Sequence, residues 1–430
     1  MKRISPVLCS VIVMMAGSLA AMAQITSAAN KTDLSPAEQS ILGARQAIAE
    51  KPLQYAGYNL LATALIRRAQ ETADAGYYAQ AENAVKKSLE LAPDNFDTQK
   101  IRVSILLGEH EYPVALEAAK ALNKRVLDDV MVYGLLTDAN VELGNYEDAE
   151  VSAQWMLNLR PGNLPALIRA ARLRELFGDN EGALELLDLA YQSTPPTETG
   201  QRAAILTQMG HLRSASGNTE AAERFLQQAL TLFPNYPSAL GNLAQVRIAQ
   251  KRYTEAVLLL KQCHQSAPRA ANLYHLAEAL QLAGRDDEAQ KAFAEFETKA
   301  LAESSGMNNS NRELIFYYAD HAHQPAKALE VAQREYSWRH DVYTLDAYAW
   351  ALHVNDQDAE ARKQIETALA VGIRDSRIFA HAGEIALKLS DRTTAQSYLQ
   401  EAVSLHAVAS DHARLLLAQF AGFSGSLTAR

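Results

Sequence analysis

The chain has 430 residues, 41 basic and 50 acidic side chains, a formal net charge of −9 and a hydrophobic fraction of 48%. So much apolar content, rich in alanine and leucine, excludes a disordered chain. The acidic balance without a long basic run argues against nucleic-acid binding, which needs a clustered positive face to neutralise phosphates.

Residues 1–23 read as an export signal. Lys2 and Arg3 form its charged start, Pro6 to Leu19 its apolar stretch, and Ala21-Met22-Ala23 the small residues a signal peptidase accepts. Cleavage is expected after Ala23, with an uncleaved anchor as the alternative. The apolar run is short for a bilayer, and no later segment is apolar enough to span one. The mature chain is therefore expected to be periplasmic or secreted, without a transmembrane span. Cys9 leaves with the signal. Cys263 then stands alone, so no internal disulfide is expected.

Residues 24–34 read as a flexible leader. Ser35-Pro36 followed by Glu38 predicts an N-cap, a first-turn proline and a capping-box acid. A helix follows to about Glu50, and Pro52 is expected to open a second one through Gln70; residues 35–61 are assigned to these N-terminal helices. From there the sequence is periodic. In Val130–Asn163, apolar residues at helical spacing run to Leu143, Gly144-Asn145 breaks the pattern, a second amphipathic run covers Tyr146 to Leu159, and Pro161-Gly162 ends it. This is a helical hairpin with a glycine turn and a proline stop. The same punctuation returns 34 residues on, at Gly178, Ala183 and Pro195.

A small residue opening each second helix anchors the register: Ala81, Ala115, Ala149, Ala183, Ala222, Ala256, Ala289, Ala328, Ala361 and Ala395. A larger side chain there would push the two helices apart. Leu187, Leu226, Leu260, Phe293 and Leu399, four residues further on, are expected to fill the seams. The turn glycines are Gly76, Gly144, Gly178, Gly217 and Gly284, and the stops are Pro93, Pro161, Pro195, Pro234 and Pro268. His110 stands where a turn glycine belongs, and the last three repeats lack both glycine and stop. Two intervals are stretched to 39 residues, by Ser193–Gly200 and Ser304–Asn311. Both segments are turn-rich and read as lengthened loops. They divide the array into repeats 1–4 (62–193), 5–7 (203–303) and 8–10 (309–409). A capping helix (410–422) and a loose tail (423–430) complete the chain.

This set of residues resembles the tetratricopeptide-repeat family. The resemblance implies an all-α fold: a right-handed α-solenoid of about ten helical hairpins with N-terminal and C-terminal capping helices. It also implies a non-catalytic protein-interaction scaffold whose first helices line a concave groove. Carrying the family's ligand-facing positions over gives Asp138, Arg169, Arg172, Glu175, His211, Asn242, Gln245, Tyr274 and Glu278 in the central block, and Glu313, Tyr317, Asp346, Trp350 and Glu384 in the last. Arg169, Arg172 and Arg213 cluster on first helices of an acidic chain and suit carboxylates of a peptide or protein ligand. Tyr317 and Trp350 suit apolar anchoring, with core packing as the competing reading. The pattern lacks the lysine–asparagine clamp of chaperone-binding repeats and the asparagine ladder of sugar-transferase arrays, so it names no partner.

No motif argues for an enzyme. There is no glycine-rich phosphate loop, no H-E-x-x-H and no G-x-S-x-G, and no cofactor is expected. His321-x-His323 with His353 would hold a metal only if Ala322 sat in a turn, because residues two apart on a helix point about 200° apart. Histidines at helix ends, suited to the dipole, are the competing reading, and no metal is assigned. Cys263 falls on a seam and reads as a small buried residue rather than a reactive thiol. Two further functions stay open: an accessory subunit for envelope or cell-wall assembly acting through oligomerisation, and a metal-dependent enzyme at the C-terminal histidines.

Overall fold

The computed structural model describes residues 34–72, 74–304, 309–405 and 413–418. The expected signal, the leader up to residue 33 and the tail lie outside the described residues.

Among these, every regular element is a helix. Helix α1 (Pro36–Glu50) precedes ten antiparallel hairpins: α2 (Tyr55–Thr72) with α3 (Gly76–Leu91), α4 (Phe96–Gly108) with α5 (Tyr112–Arg125), α6 (Val130–Glu142) with α7 (Tyr146–Leu159), α8 (Leu164–Leu176) with α9 (Asn180–Ser193), and α10 (Thr199–Ala215) with α11 (Thr219–Leu232). Then come α12 (Pro237–Ala249) with α13 (Tyr253–Ser266), α14 (Ala270–Leu282) with α15 (Asp286–Glu303), α16 (Asn311–Phe316) and a π-helical turn (Tyr317–His321) with α17 (Pro325–Tyr336), α18 (Val342–His353) with α19 (Asp358–Ala370), and α20 (Ser376–Lys388) with α21 (Arg392–Ser404). A short helix at 413–418 follows. Each hairpin packs on the next, so the core is a ribbon of linked apolar clusters, as in a solenoid.

The anchor alanines explain the hairpins. All ten are at most 1% exposed, because a second helix crosses its partner at the distance a methyl group sets. The seam residues Leu187, Leu226, Leu260, Phe293 and Leu399 are buried as well. The capping box at Ser35 forms in full: its hydroxyl accepts from the Glu38 amide, and the Glu38 carboxylate accepts from the Ser35 amide. The second helix starts at Tyr55, leaving Pro52 in the preceding turn. Residue 62 therefore lies inside the first helix of repeat 1.

The turns account for the departures from the glycine pattern. Gly144, Gly178, Gly217 and Gly284 have φ between +69° and +79°. His110, Lys251, His323, Asp356 and Ser390 adopt the same left-handed conformation with φ between +51° and +65°. Each costs about 1–2 kcal/mol relative to glycine, and the buried hairpin on either side holds it there. Gly76 is different from the expectation. It is the first residue of α3, its amide bonded to the Asp74 carboxylate, and it makes no left-handed turn.

The two stretched intervals also differ from expectation: the extra residues largely extend helices. α10 has 17 residues and α15 has 18, against 13 or 14 in their regular neighbours such as α8 and α9. Thr199 and Gly200 start α10 rather than a loop. The extension is held from outside: Glu198, at the N-cap, pairs with Arg67 of α2 at 2.7 Å, and Arg202 donates to the Thr194 carbonyl at 2.9 Å. Of the second stretch, residues 305–308 lie outside the described residues.

Arg67–Glu198 is one of several contacts that close the ribbon on itself. The turns of repeats 2, 3 and 4 meet the connections before α18 and α20. Arg339 bonds His110 and lies 5.3 Å over the Tyr112 ring. The Val342 amide donates to the Tyr146 hydroxyl at 3.0 Å. A methyl group built on Gly144 would stand 2.6 Å from the His340 carbonyl oxygen, and one on Gly178 would stand 2.5 Å from that of Gly372. One apolar cluster runs through Val141, Leu173 and Leu176 into Val342, Leu345 and Ile378. Repeats 9 and 10 are thus docked against repeats 3 and 4.

At the C-terminal end, Ala413 is fully buried, and Leu416 and Leu417 pack against Ala380, Leu399 and Ala402. Leu415 stays exposed, and Phe420 of the expected cap lies outside the described residues.

Candidate binding site on the inner wall

The first helices of consecutive repeats face inward side by side. Where α4, α6, α8 and α10 meet they form a concave pocket of about 400 Å³, lined by Leu107, Tyr112, Thr137, Asp138, Val141, Glu142, Ile168, Arg169, Arg172 and Gln208. Its apolar wall comes from the same faces that build the seams. Its charge comes from side chains one helical turn apart on those faces.

The two arginines of α8 are placed differently. Arg169 is firmly held: Nε donates to Asp138 Oδ1 at 2.8 Å and to the Gly134 carbonyl at 3.1 Å, Nη2 pairs with the other Asp138 oxygen, and Nη1 donates to the Pro165 carbonyl. Arg172 is loosely held. Its nearest carboxylate is Glu175 at 3.5 Å, and its guanidinium stands 5.9 Å from the Tyr343 ring centroid. The guanidinium of Arg312 of α16 is also 5.9 Å from the Tyr343 ring centroid, with Asp341 at 3.6 Å.

The carboxylates beside them have other work. Asp341 caps α18, accepting from the amides of Tyr343 and Thr344 and from the Thr344 hydroxyl at 2.6 Å. Glu175 accepts from His211 at 3.0 Å. Burial opposes ionisation of Glu175, but the bond to His211 and the Arg172 charge outweigh it and hold this carboxyl below its usual range. Burial likewise disfavours charge on His211, and the bond to Glu175 outweighs it, so the imidazole titrates above its usual value. Glu142 makes no ion pair within 4 Å among the described residues. Burial and the nearby Asp341 push its carboxyl up. Burial raises the Tyr343 hydroxyl to about 12.

The other residues expected in the groove are placed in different ways. Asn242 and Gln245 stay on the solvent-accessible part of α12, with the Asn242 amide donating to the Ser238 carbonyl. Arg213 is not among the residues that line the pocket, and it pairs with Glu181 at 2.6 Å. The aromatics follow the packing reading. Tyr274 is 5% exposed and Trp350 is 9% exposed, both within one core cluster. Trp350 donates to Asp320 at 2.8 Å and stacks on His381 at 4.1 Å between ring centroids. Tyr317 bonds Glu297 and packs against Phe293. Asp346 is fully buried, bonded to His381 at 2.7 Å and to Arg377 at 3.3 Å, so it is not a groove residue.

His321, His323 and His353 are not brought together as a ligand set. His321 lies on the Phe293 ring at 4.4 Å, His353 bonds Asp358, and His323 supplies a left-handed turn. Among the described residues no group of three or more His, Cys, Asp or Glu side chains is arranged to hold a metal, and no helix is long and apolar enough to cross a membrane. Cys263 is 2% exposed and donates to the Pro237 carbonyl; burial pushes its thiol up to about 11.

Tyr112, Glu142, Arg312, Asp341 and Tyr343 were not expected at the site. Tyr112 and Glu142 line the pocket from repeats 2 and 3, whereas Tyr343, with Arg312 and Asp341 beside it, comes near Arg172 through closure of the ribbon, which no local sequence pattern announces. Asp341 ahead of Val-Tyr-Thr is legible only as a helix cap.

The tetratricopeptide-repeat family profile matches residues 214–262. Those residues span the turn at Gly217 and the hairpins of α11, α12 and α13, whose alanine anchors, stop proline and seam leucines recur along the ribbon. The chain carries tetratricopeptide repeats. No curated protein matches it significantly. Among solved structures it is similar to the APC/C hetero-tetramer Cut9–Hcn1, at 14% identity and a TM-score of 0.47, over 76% of this chain and 55% of that one. The tetratricopeptide-repeat chain thus spans about half the length of that relative. It is also similar to human IFIT1 in its dimer with PPP-AAAA, at 13% identity and a TM-score of 0.47, over 87% and 95% of the two chains. PilW, a type IV pilus biogenesis factor, aligns at 15% identity and a TM-score of 0.42, over 47% of this chain and 92% of its own.

Proposed function

We propose that this tetratricopeptide-repeat chain is a non-catalytic scaffold that holds a peptide segment or partner protein on its inner wall. The observation that carries the reading is the concave pocket across four successive repeats. It offers apolar surface at Leu107, Val141 and Ile168 beside the charges of Asp138, Glu142, Arg169 and Arg172. Arg172 is the residue best suited to a ligand carboxylate, because its own partner is distant. Arg169 contributes by fixing Asp138 at the rim. The work is done outside the cytoplasm, an assignment that rests on the signal-like residues 1–23.

Site-specific photocrosslinking in the native cell tests the scaffold. A crosslinker at Gln208 on the inner wall should capture a discrete partner, and one at exposed Leu258 should not. Arg172→Ala should reduce the Gln208 product. Equal capture at both positions, or none at Gln208, refutes the inner-wall reading. N-terminal sequencing of the purified native protein tests export, with Gln24 as the expected first residue; Met1 would refute it.

A second reading, assistance to envelope assembly through self-association, is favoured by one observation on repeat 3. Trp155 is 47% exposed, stacked on Tyr133, with Val151 one turn away and 58% exposed. Sedimentation at micromolar concentration separates the readings, since a monomer refutes this one.

A further inference from the structure

A contact between residues 229 positions apart sits at the edge of the inner-wall pocket. Tyr112 lines that pocket. The His110 ring stacks on it at 5.5 Å between centroids, and the Arg339 guanidinium lies 5.3 Å from its centroid. His110 belongs to the turn of repeat 2 and Arg339 to the connection that leads into α18, and Arg339 Nη2 meets His110 Nδ1 at hydrogen-bond distance. A guanidinium carries only donors, so Nδ1 accepts and bears no proton. An imidazolium is a donor at both nitrogens. This bond and a charged His110 therefore exclude each other, whatever else the ring touches. Arg339 cannot yield instead, because a guanidinium keeps its proton. It is nearly fully buried, and Glu335, also buried, pairs with it at 3.2 Å.

The surrounding charges set the sign. Glu109 and Glu111 flank His110 on its own turn and stay with it whether or not the connection is docked. From other elements, Glu142 of α6, Arg312 of α16 and Asp341 of the connection act on the Tyr112 ring beside it. Glu142 titrates against His110. Burial and the docked Asp341 push its carboxyl up, so its contribution to docking is present in acid and is lost as pH rises through the docked value. His110 works the other way, since a proton on Nδ1 removes the bond.

We propose that His110 and Arg339 form an acid-released latch. Neutral His110 pins the connection ahead of α18 to the pocket rim, and uptake of one proton frees it. The latch regulates access to the inner wall and rests on the binding reading for that consequence alone.

The test is hydrogen exchange of the full chain without a partner, at about pH 7.5 and about pH 5.5, which bracket the range where histidine titrates. Each rate is divided by the intrinsic rate at that pH. The reporter is the Val342 amide, bonded across the docked contact to the Tyr146 hydroxyl. One linked proton changes the ratio of docked to released chains by up to about tenfold per pH unit. Protection at Val342 should therefore fall about tenfold or more in acid, while the Ala222 amide, bonded inside its own repeat, keeps its protection. His110→Gln retains an acceptor that does not titrate and should abolish the acid loss. Glu142→Gln should keep or enlarge it. If His110→Gln does not fold, His110→Asn serves, since asparagine tolerates the left-handed turn and the reading is loss of the pH response. Equal protection of the wild type at both pH values, the same acid loss in the His110 variant, or no acid loss in Glu142→Gln overturns the latch. Failure of the Gln208 crosslink would overturn the binding reading and leave this result untouched.

Discussion

Closure of the ribbon is tested most sharply by two glycine substitutions that share one strain and differ in one contact. Gly144 and Gly284 are both left-handed turn residues, with φ of +77° and +69°. A methyl group at either position therefore adds the same local cost, about 1–2 kcal/mol. At Gly284 the new Cβ meets nothing within 4 Å, whereas at Gly144 it stands 2.6 Å from the His340 backbone oxygen. That oxygen belongs to the connection that docks the last block, and it must retreat by several tenths of an ångström. Forcing such a shift into a packed contact costs about 1–3 kcal/mol more. Gly144→Ala should thus be destabilised by that further amount relative to Gly284→Ala. Global unfolding is a blunt measure, because repeats of a solenoid melt in cooperative pieces. The local reporter is the Val342 amide, which donates to the Tyr146 hydroxyl across the same contact. Hydrogen exchange at Val342 should quicken in Gly144→Ala and stay unchanged in Gly284→Ala. Equal urea stability of the two variants to within about 0.5 kcal/mol, with equal Val342 exchange, would show that the two parts do not touch in solution.

Three other predictions follow from the packing and the site. Ala222→Leu replaces a fully buried anchor between α10 and α11 and should cost about 1–3 kcal/mol or more by overpacking, read as loss of helical circular dichroism at lower urea. Native Cys263 should react with iodoacetamide at neutral pH far more slowly than the denatured chain, because the thiol is buried and its pKa is raised to about 11; equal rates would refute its burial. The His211–Glu175 pair has a definite sign. The His211 pKa is raised in the folded chain, so its contribution is fully present below the usual value of 6.5 and fades as pH rises through the higher folded value. His211→Gln should remove that alkaline loss, detected as a flattened melting-temperature profile above neutrality.

The hairpins were legible because their determinants are local. An alanine at a close helix crossing, a glycine after the first helix and a proline after the second each act within a few residues, and ten such anchors repeat. His110 was legible as a substitute because the register reaches it, but those at Lys251, Asp356 and Ser390 were not, since a side chain forced into left-handed backbone leaves no mark of its own in the sequence. The extension of α10 was misread for a related reason. Thr199 and Gly200 prefer turns, but Glu198 and Arg202 are held by Arg67 and Thr194, and the first of these contacts is long-range. The site was half legible. Arg169 and Arg172 fall on the inner wall as the repeat register requires, but periodicity marks inward positions without saying which are already filled. Trp350 and Tyr274 occupy such positions and are consumed by the core. Tyr343 and Arg312 enter only because repeat 8 and the start of repeat 9 fold back near repeat 4.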